Sequence, residues 1–233
     1  MPHRLAIYYA PPSSGELWQR ASRWLGRDPA TGSTSAESIA GLAAEQRAAL
    51  SLSARRYGFH ATLKAPMRLA EGRSMADFDA ALSDFAARRA PVAIGRLQLS
   101  LLDGFLALTP VEQTDGLTGF VGEVVDGFEP WRAPLSQADR ARRLQSGLTP
   151  RQSQLLERFG YPYVMEEFRF HMTLTDRLPA ERRDEMLAAA SEWFEPVLED
   201  PFSLDRLVLY SEPAAGADFQ RDGDYLLTGN QHD

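Results

Sequence analysis

Two histidines in this sequence open the same kind of tetrapeptide, His-Ala-Thr-Leu at His60 and His-Met-Thr-Leu at His171. An imidazole has an unperturbed pKa of about 6.5, so both of its protonation states are accessible near neutrality. Displacement at phosphorus needs two such groups. A neutral imidazole takes the proton of the attacking water or hydroxyl, and an imidazolium opposite protonates the leaving oxygen. Threonine hydroxyls two positions on, Thr62 and Thr173, can donate to the non-bridging phosphate oxygens. A lone His-x-Thr is usually incidental. Of the four histidines, however, His3 and His232 lie near the two ends, and the other two share one motif.

Side chains alternate across a strand. If Tyr57 to Ala65 is a strand, His60, Thr62 and Lys64 share one face, and Phe59, Ala61 and Leu63 share the other. If Glu167 to Thr175 is a strand, Arg169, His171, Thr173 and Thr175 share a face, and Phe168, Phe170, Met172 and Leu174 pack behind them. Each motif strand then presents a histidine, a threonine and a cation, and Lys64 and Arg169 can neutralise charge on a phosphate. Arg55, Arg56 and Tyr57 precede the first motif, Tyr161 and Tyr163 the second, and all are candidates to line a cleft. Tyr8 and Tyr9 point to opposite faces of the first strand, so one of them, taken as Tyr8, can join them. The run Arg140, Arg142, Arg143 reads as a solvated helix face.

The elements that must position these groups repeat. Strand signals cover Arg4 to Ala10, and a helix runs through Trp18 and Trp24 to a stop at Gly26. A second helix is expected over Ile39 to Leu50, then the first motif strand, closed by Pro66. Ser74 to Arg89 is an amphipathic helix with a capping serine. Val92 to Leu102 and Phe105 to Leu108 form a hairpin across Asp103-Gly104. After the second motif strand come a helix over Pro179 to Phe194 and strands over Phe202 to Tyr210 and Phe219 to Leu227. The order of motif strand, helix, strand, strand occurs twice. This predicts an α+β fold, bilobal and duplicated, with two small, mainly antiparallel sheets, flanking helices and a central cleft. The whole chain, 1–233, reads as one domain: a lobe with the first motif at about 1–112, a helical insertion at about 113–160, and a lobe with the second motif at about 161–233. Within the insertion, Thr149 and Pro150 read as N-cap and first helical residue.

Composition narrows the chemistry. With no cysteine among 233 residues, thiolate nucleophiles and sulfur metal ligands are excluded. HExxH spacing is absent, and no metal or other cofactor is implied. A net charge of −7 disfavours binding of long nucleic acid by bulk electrostatics. The first ten residues lack the apolar stretch of a signal peptide, and no run suits a membrane span, so a cytoplasmic location is expected. Oligomeric state is not encoded in any recognisable feature.

The motifs HATL and HMTL resemble those of the 2H phosphoesterase superfamily. YYAPP at Tyr8, WLGRD at Trp24, RRYGFHATLKAP at Arg55 and FRFHMTLTDRL at Phe168 are similar to its bacterial branch associated with phosphonate-utilisation operons. The resemblance implies a bilobal fold, His60 and His171 as the catalytic pair, and Thr62 and Thr173 as phosphate ligands. It implies a phosphoric diester hydrolase that works without metal on a small, cyclic phosphate ester. The middle segment Thr114 to Phe159 lies outside the minimal core of that superfamily. The alternatives are a 2′,3′-cyclic phosphodiesterase acting on RNA ends or nucleotides, and a non-catalytic module that binds phosphate esters.

Overall fold

A computed structural model describes residues 2–145 and 147–230, so His232 lies outside the described residues. The first strand, β1 (Arg4–Tyr9), is buried along nearly its whole length. Next come helices α1 (Glu16–Leu25), α2 (Ala44–Ala49) and α3 (Leu52–Tyr57), then β2 (Ala61–Met67) and α4 (Met75–Ala87). Three strands follow, β3 (Val92–Gly95), β4 (Leu97–Leu102) and β5 (Phe105–Pro110), and then helices α5 (Asp115–Gly127), α6 (Gln137–Leu144) and α7 (Pro150–Phe159). The chain ends through β6 (Met172–Thr173), α8 (Arg183–Phe194), β7 (Phe202–Leu204), β8 (Arg206–Glu212) and β9 (Gln220–Leu226).

Local chemistry accounts for many boundaries. Gly26 ends α1 in the left-handed conformation (φ 72°), where its missing Cβ removes the steric penalty. Ser74 caps α4 by accepting from the Asp77 amide at 3.1 Å, and Thr149 and Gln152 form a reciprocal capping box with Pro150 as the first helical residue of α7. Asp103 and Gly104 both take positive φ in the β4–β5 turn, as a two-residue hairpin demands. The helix expected over Ile39 to Leu50 is shorter. Its first part is a loop around the buried Arg47, whose guanidinium donates to the carbonyls of Trp24 (2.7 Å) and Glu37 (3.0 Å).

The α+β class and the antiparallel pairing are as expected. Among the described residues, seven strands form one sheet in the order β4-β5-β6-β2-β1-β8-β9, and β3 and β7 form a separate pair. The two halves therefore join edge to edge through β2 and β6. They also exchange strands. The β4–β5 hairpin of the first half lies beside β6 of the second, and the β8–β9 hairpin of the second extends the β1 side. Lobes are thus not continuous stretches of chain. In each half one residue interrupts what reads as a single strand, Arg96 after the positive-φ Gly95 (φ 82°) that ends β3 and Asp205 after β7, which lets β3 and β7 pair away from the main sheet.

Both motif strands differ from their expected extents. Tyr57 belongs to α3, and β2 runs through Pro66 to Met67, with bulges that spare the proline a ladder donor. The second strand has only two residues. Before it, the side-chain amide of Gln113 takes the place of a neighbouring strand: its Oε1 accepts from Phe170 N at 2.6 Å and its Nε2 donates to Phe168 O at 3.0 Å. The middle segment is helical as expected, yet α5 is part of the core, burying Leu117, Phe120, Val121, Val124 and Val125 beside β2 and β3.

Candidate active site

The register of the two motif strands builds the site. Ala61 pairs with Met172 across antiparallel β2 and β6. One residue either way, this register sets His60 opposite Thr173 and Thr62 opposite His171, all on one face. The two histidines are diagonal neighbours, a relation that separates residues by about 7–8 Å. Tyr8 pairs with Thr62 from the other side and completes the row.

Each imidazole is aimed by the backbone two residues before it. His60 Nδ1 lies 2.9 Å from Gly58 O, and His171 Nδ1 lies 2.8 Å from Arg169 O. A carbonyl only accepts, so Nδ1 carries the proton in both rings and Nε2 is left to exchange one. His60 Nε2 is 3.2 Å from Thr62 Oγ1. Gly58 can turn its carbonyl this way because it has φ 78° and ψ 177°, and a Cβ there would lie 2.6 Å from the Pro29 ring.

Both rings favour the neutral form. Tyr8 stacks on His60 with ring centroids 3.7 Å apart and planes at 18°. Burial pushes the His60 pKa down to about 4, against the Gly58 hydrogen bond, which raises it, and with a smaller push from the charge of His171. Burial also lowers His171, whose ring sits 5.8 Å from Phe105. The Tyr8 hydroxyl is buried without a hydrogen-bond partner among the described residues, and burial holds its pKa well above the usual phenol value, so it stays a neutral donor.

A cavity of about 380 Å³ opens onto this row and is lined by His60, Thr62, Thr173, Tyr8, Tyr57 and Tyr161, among others. His171 is not part of that lining and stands beside Phe105. Among the other expected residues, Tyr57 meets the cavity and packs on Phe219 at 4.9 Å. Arg56 lines an adjoining cavity and pairs with Glu212. Arg169 is exposed just before His171, and its contribution here is its carbonyl.

Two expectations are corrected. Lys64 does not share the face of Thr62, because Thr62 pairs with Tyr8 whereas Lys64 pairs with Ile7, leaving Leu63 as a bulge residue that breaks the alternation. Its ammonium is buried against Val125 O (2.9 Å) and Glu129 (2.6 Å). Thr175 is fully buried, and its hydroxyl accepts from Leu106 N at 2.9 Å. Arg55 borders a different hollow with Trp24 and Glu45, and Tyr163 is exposed.

Sequence reasoning missed Arg4, Arg142 and Arg143, which all line the histidine cavity. Of the run read as solvated, Arg140 is an exposed partner of Glu157, whereas Arg143 stacks over the Tyr161 ring at 5.1 Å. The pairing of that basic run with Tyr161 was the available signal. Among the described residues, no group of three or more His, Cys, Asp or Glu side chains is arranged to hold a metal, and no helix is long and apolar enough to cross a membrane.

The chain is 37% identical over 221 residues to a ribose 1,5-bisphosphate phosphokinase PhnN of Janthinobacterium sp. (strain Marseille), covering 93% of this chain and 49% of that protein. It is 38% identical over 218 residues to the PhnN of Laribacter hongkongensis (strain HLHK9), covering 93% and 50%. The chain thus spans about half the length of the curated relatives it matches. In structure it is similar to E. coli LigT complexed with phosphate, at 16% identity and a TM-score of 0.42, covering 97% of this chain and 98% of that one. A family model described as a protein of unknown function, DUF1045, matches residues 62–220, which hold Thr62, His171 and Thr173. With most of its length in that match, the chain belongs to the DUF1045 family.

Proposed function

We propose that the protein is a phosphodiesterase that hydrolyses a small, cyclic phosphate ester with His60 and His171 as base and acid, without a metal ion. The observation that carries this reading is the cross-strand register, Ala61 to Met172, which sets two His-Thr pairs around one point on one face. A phosphoryl group there has an imidazole on each side and a hydroxyl donor from each strand. His60, held neutral by burial, takes a proton from water through Nε2 as the water oxygen attacks phosphorus. The bond to the leaving ester oxygen breaks, and that oxygen takes the Nε2 proton of His171. One water is consumed, a monoester leaves, and exchange with solvent resets the pair.

The cavity volume of about 380 Å³ suits a phosphorylated sugar or nucleotide. A phosphorylated pentose is in keeping with the name of the longer curated relatives, ribose 1,5-bisphosphate phosphokinase, and with a role in phosphonate utilisation. The test is to incubate purified protein, with chelator present, with ribose cyclic phosphates, nucleoside 2′,3′-cyclic phosphates and an RNA ending in a cyclic phosphate. Turnover of the small esters is expected. Loss of activity in chelator with recovery on adding a divalent ion would overturn the reading, and turnover of the RNA alone would move it to RNA ends.

A further inference from the structure

A second cavity, of about 480 Å³, adjoins the histidine cavity and shares with it Arg4, Tyr57, Arg142, Arg143 and Tyr161. Among the described residues, seven lysine and arginine side chains line it against two carboxylates, Asp139 and Glu212, in a chain whose net charge is −7. The carboxylates are each shared. Glu212 serves Arg4 (2.5 Å) and Arg56, and Asp139 serves Arg142 (2.8 Å) and Arg68 (3.6 Å). Glu129, behind the wall, serves Lys64 (2.6 Å) and Arg132 (2.5 Å). Three carboxylates thus serve six of the cations that line the cavity, two each.

Solvated arginines on a helix face would not look like this. The Arg132 side chain is only 12% exposed, and the walls come from β1, β2, α6 and the segments around them. Like charges gathered in a recess repel one another and focus a positive potential into it, an arrangement that an anion relieves. The recess also lies at a defined distance from the histidines. Arg4 and Tyr8 share a face of β1 four residues apart, about 13 Å between Cα positions at the usual strand rise. Tyr8 marks the His60 end, and Arg4 lines both cavities.

From this, resting on the phosphodiesterase reading above, we propose that the basic cavity binds a second phosphate of the same substrate. The preferred substrate is then a cyclic phosphodiester that also carries a phosphate monoester, on a scaffold the size of a pentose. The cyclic diester sits between the histidines, and the monoester is bound and not hydrolysed, because no histidine pair faces it.

Ribose 5-phosphate, which has a monoester and no diester, reads the second cavity without turnover. By calorimetry it should bind the wild-type protein and His60→Ala/His171→Ala equally well. It should bind Arg68→Glu/Arg142→Glu at least about tenfold more weakly, on the scale of charge-assisted hydrogen bonds. Both arginines are largely exposed, 45% and 66% in side chain, so replacing them opens no core, and Arg68→Gln/Arg142→Gln provides a milder pair with a smaller loss in the same direction. In turnover, a ribose cyclic phosphate with a 5-phosphate should exceed the same ester without it by about 10- to 100-fold in kcat/KM, and the charge reversal should remove the preference. No binding of ribose 5-phosphate, binding or preference untouched by the charge reversal, or equal use of the two esters by the wild type would overturn the second site. Binding of ribose 5-phosphate that responds to the charge reversal, with neither ester turned over, would keep the site and sink the phosphodiesterase reading.

Discussion

At the scale of single residues, the proposed chemistry rests on two rings whose protons are directed by carbonyls. Replacing either His60 or His171 with alanine should lower kcat by about 10²- to 10⁴-fold while the protein stays folded, as measured by steady-state assay beside circular dichroism. Thr62→Ala and Thr173→Ala should cost about 10- to 10³-fold, since each removes a donor to a phosphate oxygen and no proton carrier. The pH dependence follows from burial. In the free protein both imidazoles titrate below the usual histidine value, His60 at about 4, so the bell of kcat/KM should lie on the acid side of 6.5. A bound phosphate anion favours the imidazolium, so the bell of kcat should sit at higher pH than that of kcat/KM. The two apparent values belong to the pair. A kcat profile centred below that of kcat/KM would contradict the proposed stabilisation.

At the scale of elements, the turn before each motif strand matters as much as the strand. Gly58 joins α3 to β2 with a backbone conformation open in practice only to glycine, beside a proline that leaves no room for a Cβ. Gly58→Ala should destabilise the fold by about 1–3 kcal/mol in urea unfolding. It should also lower kcat, because the carbonyl that holds His60 Nδ1 must move. Unfolding and kcat both unchanged would mean that the turn does not orient the ring. The backbone leading into the second motif has a different support, the Gln113 amide, so the segments that carry the two histidines are held by unlike devices in halves that otherwise repeat.

At the scale of the molecule, the half-buried histidines make stability depend on pH. The folded-state pKa of His60 is about 4, below the roughly 6.5 of an unfolded chain, so the unfolded state binds the proton more readily between these values. Its contribution is fully present above pH 6.5 and is lost as pH falls toward 4, amounting to about 3 kcal/mol over that window, and His171 acts in the same direction. Denaturant unfolding at pH 7, 5.5 and 4.5 should show the decline, and His60→Gln should flatten it. An unchanged slope in that variant would place the acid sensitivity elsewhere. The molecule also sets a basic recess in an acidic chain, which suits local capture of a small anion better than tracking along a polymer backbone.

From the sequence alone one can read what depends on near neighbours. The paired tetrapeptides, the helix caps at Ser74 and Thr149, the Asp103-Gly104 turn and the sharing of a face by His60 and Thr62 are all set by bonds and sterics within a few residues. Alternation, however, predicts a face only while the ladder is regular. The bulge at Leu63 is fixed by the register against β1 and carries Lys64 into a buried ion pair with Glu129. Thr175 lies past the end of the two-residue β6, so it meets Leu106 in the core in place of the site. The basic recess unites residues from β1, β2, α6 and the β8 end, which no local pattern connects. Only the tertiary structure brings them together, because the exchange of hairpins between the halves and the packing of α5 on β2 are decided by which apolar faces bury one another.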